Sequence, residues 1–150
     1  MPTFRYSSWI DAPVETVFGF HEQPGALERL TPPGQKIEIV ERTNGIQVGS
    51  RVVIRMRVGL IPVEWHALHT VYEKHRLFVD EQQKGLFRSW VHRHEFAEEN
   101  GGTRLTDSIT YRMKTGILAE VVSGWFVKLQ LNRMFRWRHE VTKKYCEKKA

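Results

Sequence analysis

Between Lys36 and Met113 hydrophobic and polar side chains alternate at every second residue, interrupted only by short polar turns. Period two belongs to β-strands with one buried face. Connections this short join antiparallel neighbours, because a parallel crossover needs a dozen residues or more. The runs are Lys36–Arg42, Arg51–Val58, Val63–Tyr72, Leu77–Gln83, Arg88–Phe96 and Thr103–Met113. In Arg51–Val58 the pattern predicts Val52, Ile54, Met56 and Val58 inward, with Arg51, Val53, Arg55 and Arg57 outward. Asn44-Gly45 ends the first run, and Asn100-Gly101 is the strongest hairpin signal in the chain.

A further strand, Phe4–Ile10, precedes this block. Asp11 is expected to cap a helix that carries Pro13 and Glu15 in its first turn and runs to about His21. Pro24-Gly25 breaks it, and Ala26–Leu30 reads as a second short helix stopped by Pro32-Pro33-Gly34. After Lys114-Thr115-Gly116 comes a helix of roughly thirty residues, about 45 Å long at 1.5 Å per residue. The fold class is therefore α+β in one domain over 1–150: a seven-stranded curved antiparallel sheet around a long C-terminal helix, with two short helices between strands 1 and 2. A curved sheet held away from a helix leaves a cavity suited to a small molecule.

With 41% hydrophobic and 27% charged residues, 150 residues suffice for one substantial core. The single cysteine, Cys146, excludes an internal disulfide, so a reducing cytoplasm is the expected compartment. The first residues have no apolar segment of signal-peptide length. The longest apolar stretch, Gly116 to Leu131, is broken by Glu120, Lys128 and Gln130, so no transmembrane segment is expected. From Lys128 onward there are eight Lys or Arg against Glu140 and Glu147, which accounts for the whole net charge of +6. A basic terminal helix can bind nucleic acid or a partner protein. A solvated outer face of an amphipathic helix explains the same charge, and no specific nucleic-acid partner is expected.

The stretches Ile10-Asp-Ala-Pro-Val-Glu-Thr-Val-Phe18, Phe20-His-Glu-Gln-Pro-Gly-Ala-Leu-Glu-Arg-Leu-Thr-Pro-Pro-Gly34, Phe78-Val-Asp-Glu-Gln82, Arg88-Ser-Trp-Val-His-Arg-His-Glu-Phe96 and Gly102-Thr-Arg-Leu-Thr-Asp107 resemble the START/polyketide-cyclase-like (SRPBCC) superfamily. More narrowly, they resemble its bacterial ligand-binding branch. The resemblance implies a helix-grip fold. For function it implies a range, from lipid carriers and hormone receptors to aromatic cyclases and ring-hydroxylase subunits. The iron-binding motif of the hydroxylase subunits is absent from this sequence.

Alternation places Trp65, Ala67, His69 and Val71 on one face, and with them Phe78, Asp80 and Gln82. Trp90, His92, His94 and Phe96, then Leu105, Asp107, Ile109 and Tyr111, complete that concave face. If Asn100-Gly101 is the loop, His94 faces Asp107 and Phe96 faces Leu105; the Lys74-His75 turn sets His69 opposite Asp80 and Val71 opposite Phe78. Two inward His–Asp pairs result. They either satisfy one another as a polar lining or act as general acid and base on a bound carbonyl, with His94, Asp107, His69 and Asp80 as the candidates. His92 and His94, with Asp107 beside them, could also hold a metal. A carboxylate bonded to histidine already explains that spacing, so no metal and no cofactor are expected.

In the long helix Leu131, Phe135, Arg138, Val141 and Tyr145 share helical spacing, which puts Arg138 on the apolar side. Trp125 and Phe126 read as core or cavity wall. Gly59-Leu-Ile-Pro62 and Gly116-Ile-Leu118 are expected to pack together, or to gate an entrance. The leading expectation is a binding protein for a small hydrophobic or aromatic, lipid- or polyketide-like ligand. Trp65, Phe78, Trp90, Phe96, Tyr111, Leu131 and Phe135 would form its wall; His69, Asp80, Gln82, His92, His94, Asp107 and Arg138 would orient a polar group. The alternatives are a cofactor-free cyclase or dehydratase using the same histidines, and an adaptor using the basic helix.

Overall fold

Seven strands hydrogen-bond in one antiparallel sheet, in the spatial order β1-β7-β6-β5-β4-β3-β2. In chain order the elements are β1 (Thr3–Ile10), α1 (Val14–Glu22), α2 (Ala26–Arg29), β2 (Ile37–Arg42), β3 (Arg51–Val58), β4 (Ile61–Glu73), β5 (Leu77–Lys84), β6 (Phe87–Glu99), β7 (Gly102–Met113) and α3 (Ile117–Cys146). The structure, a computed structural model, describes residues 2–43, 45–58, 60–114 and 117–147, and of these the side chains of all but 58 and 117–123. This is the helix-grip arrangement that the sequence predicts. No described helix is long and apolar enough to cross a membrane.

The β6–β7 hairpin follows the expected register. Asn100 (φ 48°) and Gly101 (φ 77°) form the two-residue loop, Glu99 faces Gly102, and His94 faces Asp107. Both positive φ values suit a turn whose twist matches the flanking strands. Gly102 must be glycine for a different reason: a Cβ there would lie 2.4 Å from Ile10 O and 2.7 Å from the Trp9 ring. That ring is held by its Nε1 donating to Glu99 O at 2.7 Å.

The β4–β5 hairpin departs from expectation near its turn. The connection spans three residues, with His75 at φ 64°, so Tyr72 rather than Val71 faces Phe78. A bulge between His69 and Val71 then takes the extra residue back, and His69 faces Asp80 after all. On β3, Val53 is buried although alternation points it outward. It sits between its register partners Glu41 and His66, whose side chains flank it on the convex face.

Asp11 does not cap α1. The N-cap is Pro13, whose carbonyl accepts from Thr16 and Val17, while the Asp11 N–H is bonded to Glu147 Oε2 at 2.8 Å. The helix drives Val14, Val17, Phe18 and Phe20 into a core with Ile10, Phe78, Phe96 and Leu105. A second core joins Phe4, Trp90, Ile109, Tyr111, Leu131 and Phe135, with Trp65 and Phe87 packed at its margin.

The buried stripe of α3 is Leu131, Phe135, His139, Thr142 and Cys146. Continued two turns back it passes through Val127 and Gly124, so Trp125 and Phe126 fall off it and are 73% and 54% exposed rather than wall. Tyr145 is also exposed, stacked on Phe20 with ring centroids 5.5 Å apart. Lys128, Arg133, Arg136 and Lys144 face solvent. Leu60 and Ile61 at the β3–β4 turn are exposed rather than packed. Gly59 and the side chains of 116–118 lie outside the described residues.

Candidate functional site

Two cross-strand rows place the chemistry. One runs His69 (β4), Asp80 (β5), His92 (β6), and the other Phe78 (β5), His94 (β6), Asp107 (β7). α3 lies against β1 and α1. From there it brings His139 down onto the second row, and α1 contributes His21 from the same side. Five of the seven histidines therefore gather around two aspartates, all buried except Asp80, whose side chain is 18% exposed.

Register sets which side chains are neighbours, and side-chain reach sets which of them bond. Asp107 Oδ1 accepts from His92 Nε2 at 2.8 Å and lies 2.9 Å from His94 Nδ1; Oδ2 accepts from His139 Nε2 at 2.7 Å. The other nitrogen of His94 reaches diagonally to Asp80 Oδ2 at 2.8 Å. His139 Nδ1 is closed off by the Ser8 hydroxyl. His69, although directly opposite Asp80, makes no hydrogen bond to it; it stacks on Phe78, and its buried Nδ1 has no partner among the described residues.

His94 has a carboxylate on each nitrogen, an arrangement that suits the doubly protonated imidazolium. Burial would push this group down, but the bonds to Asp107 and Asp80 outweigh burial and hold it up at about 9. Burial likewise opposes ionisation of Asp80, yet the His94 bond and the neighbouring imidazoles bring its carboxyl down to about 2. Asp107 is held well below the usual carboxylate range, against burial, by His139, His92 and His94. His92 is lowered by burial and then by the charge of His94, and His21 falls to about 4, chiefly by burial. Arg138 donates Nε to Leu30 O at 3.0 Å, with its guanidinium 5.3 Å from the centre of the Phe135 ring. The charges then balance: Asp80 and Asp107 against His94 and Arg138. Balance of this kind is what makes ionised groups tolerable in an interior.

Beside the cluster lies a cavity of about 20 Å³, room for one water, lined by His21, Leu30, His94, Leu105, Asp107, Phe135, Arg138, His139 and Thr142. Next to it stands the aromatic wall: Trp65 and Trp90 meet edge to face at 5.2 Å, and Phe135 meets His92 the same way at 5.2 Å. Along β3 and β4 the inward residues Ile54, Met56, Trp65 and Ala67 are only half-buried.

Of the expected site residues, Asp80, His92, His94 and Asp107 come together, with Arg138 beside them. Trp65, Trp90, Tyr111, Leu131 and Phe135 share the aromatic cluster. Phe78 and Phe96 instead join the core under α1, Phe78 lying flat on His94 with centroids 3.9 Å apart. Gln82 turns its amide onto Phe87, bonding both the N–H and the C=O of that residue, so it closes the β5–β6 turn rather than facing a ligand. His21 and His139 escape the reading from sequence. For His139 a signal exists, because it lies four residues after Phe135 and three before Thr142 on the buried stripe.

With this geometry in view, residues 10–139 match the family described as polyketide cyclase / dehydrase and lipid transport. Solved structures of low identity share the fold. Protein TTHA0849 from Thermus thermophilus is 20% identical, with 94% of this chain and 97% of that one covered at a TM-score of 0.71. Protein CV1439 from Chromobacterium violaceum is 13% identical, with 98% of both chains covered at 0.75. The di-domain ARO/CYC StfQ from the steffimycin biosynthetic pathway is 12% identical, with 97% of this chain and 50% of that one covered at 0.73. No curated protein matches the chain.

Proposed function

The chain belongs to the polyketide cyclase/dehydrase and lipid transport family, and on that footing we propose that it binds a small, largely apolar molecule bearing one neutral polar group. The observation that carries this reading is the junction at Phe135, which lines the water-sized cavity of the His–Asp cluster and also belongs to the aromatic wall. The apolar body would lie along Trp65, Trp90 and the half-buried Ile54 and Met56, and the polar group would enter the cavity.

Hydrogen-bond capacity argues for a hydroxyl or carbonyl there. His21 Nδ1 lies 2.8 Å from Val17 O, which can only accept, so Nδ1 carries the proton and Nε2 offers a lone pair. Arg138 uses Nε on Leu30, which leaves its terminal N–H groups as donors. A ligand carboxylate would add an uncompensated negative charge to a cluster already in balance. Thermal melts with an environment-sensitive apolar dye and with long-chain alcohols test the reading: bound probe should raise the melting temperature by mass action. Failure of every probe across a broad apolar panel would overturn it.

A second reading is a cofactor-free cyclase or dehydratase. It is favoured by His94, an imidazolium held between two carboxylates, and by Asp80, the cluster member whose side chain retains 18% exposure. On this reading His94→Asn stops turnover of a polyketide-like substrate while the apolar dye still binds.

A further inference from the structure

The nitrogens and oxygens of Asp80, His92 and His94 converge: one ligand atom from each lies within 4.8 Å of the other two. We propose that these three residues bind a first-row divalent cation, zinc in the first instance, with Asp107 as the carboxylate that orients both histidines. The sequence alone suggests Asp107 as the ligand, and the structure assigns it the other position. His92 presents Nε2 and His94 presents Nδ1 to the same Asp107 oxygen, at 2.8 and 2.9 Å. Their opposite nitrogens, Nδ1 and Nε2, are the ones turned to Asp80 Oδ2, at 3.9 and 2.8 Å. A histidine that ligates a metal commonly gives its second nitrogen to a carboxylate, which fixes the ring and raises its basicity. Here one carboxylate does this for two histidines, and His139 steadies that carboxylate from α3 at 2.7 Å.

Two imidazoles and one carboxylate suit zinc among the common divalent ions and leave one tetrahedral position open to water or a ligand atom. The rings of His92 and His94 lie side by side, centroids 3.7 Å apart, as i, i+2 neighbours on one face of β6. His69, opposite Asp80 and outside the converging set, is 8% exposed, and its Nδ1 is buried without a partner among the described residues. The ion would take the place of the proton between His94 Nε2 and Asp80 Oδ2 without disturbing Asp107, so Asp80 and Asp107 would face the ion and Arg138, one positive charge more than in the metal-free cluster. The cation proposal stands apart from apolar ligand binding, which is measured in the presence of a chelator.

The full chain, stripped with a chelator and desalted, should take up one equivalent of Zn(II) by calorimetry, and Co(II) should give the visible absorption of a four-coordinate ion. Asp80→Asn, which keeps the shape and removes the charged ligand, should abolish that absorption. Asp107→Asn should weaken Zn(II) binding roughly 10–100-fold, the usual effect of losing an orienting carboxylate. His66→Gln, remote from the cluster and bonded to Glu64 at 2.7 Å, should change neither. Should the cluster variants fail to fold, ring-nitrogen NMR of the wild-type chain decides: Zn(II) must shift His92 Nδ1 and His94 Nε2 and leave His66 in place. No uptake by the wild type, uptake unchanged in Asp80→Asn, or shifts confined to other histidines would each overturn the proposal.

Discussion

On β5, β6 and β7 the concave face carries Asp80, His92, His94 and Asp107, each engaged by another member of the cluster. On β3 and β4 the same face carries Ile54, Met56, Trp65 and Ala67, half-buried and apolar, with the Met56 sulfur accepting from Gln35 Nε2 at 3.9 Å. The difference follows from what covers each region. α1 and the C-terminal half of α3 press onto the polar side, supplying His21, Arg138 and His139 and leaving room for one water. Among the described residues α3 lies chiefly against β1 and α1, and it reaches Trp65 of β4 only at the margin of the second core. Once a polar cluster is enclosed it must bond nearly completely, because each buried unmet group costs about 1–3 kcal/mol. An apolar wall remains useful while partly exposed, since its surface is what an apolar ligand would cover. One side is therefore built for stability and polarity, and the other for contact.

Substitutions should separate the two regions. The largest effect is expected from Asp107→Asn, which removes the charge that three histidines face: about 3–5 kcal/mol in urea unfolding, with apolar dye affinity little changed. A loss below about 1 kcal/mol would show that the cluster is not integral to the fold. Next comes pH, measured with a chelator present. His94 is bonded or close to Asp80, His92 and Asp107, with His21, Arg138 and His139 lining the same cavity. Its folded value of about 9 lies above the ordinary 6.5, so its contribution is complete below pH 6.5 and is lost as pH rises towards 9, on the order of 3 kcal/mol in all. His21 is depressed to about 4, so its neutral form contributes above pH 6.5 and that contribution fades as pH falls towards 4. Asp80, at about 2, withdraws its own below pH 4. Stability should therefore peak near pH 6.5, and a melting temperature that does not fall from pH 6.5 to 9 would contradict the assignment to His94.

Trp65→Ala should show the reverse pattern to Asp107→Asn. Its half-buried ring contributes about 2 kcal/mol to stability, below the full-core range, while dye binding should weaken at least tenfold. Equal loss of stability and affinity in both variants would erase the distinction between the regions. The smallest effect is expected for Glu28→Gln, which breaks the paired bonds to Arg42 at 2.8 and 2.9 Å on a surface where both partners are a third or more exposed. It should cost less than about 1 kcal/mol and leave dye binding unchanged.

The fold is legible because the alternation and the two hairpin turns are local signals. The pairing of His94 with Asp107 follows directly from Asn100-Gly101. The pairing of His69 with Asp80 rests on two offsets that cancel, a turn one residue longer than expected and a bulge just before it. Hydrogen bonding is harder to read. Register makes His69 and Asp80 neighbours, yet Asp80 bonds His94 from the adjoining row, because an imidazole is long enough to reach a diagonal position. The helical members are hidden by phase. Following Val141 and Tyr145 turns α3 away from its buried stripe, whereas His139 and Thr142 hold that stripe despite their polarity, since each finds a partner there. His21 continues the buried stripe of α1 from Val14, Val17 and Phe18 in the same way, and its polarity hides it although its Nδ1 finds Val17 O.

The division of the concave face is tested most directly by comparing a long-chain alcohol with the carboxylic acid of equal length, by calorimetry at neutral pH with a chelator, on the wild type and on Trp65→Ala. The balanced charges of Asp80, Asp107, His94 and Arg138, with the lone pair of His21 at the cavity, predict that the alcohol binds more tightly than the acid and that Trp65→Ala weakens both. Tighter binding of the carboxylate, or binding indifferent to Trp65, would contradict a neutral polar pocket beside an apolar wall.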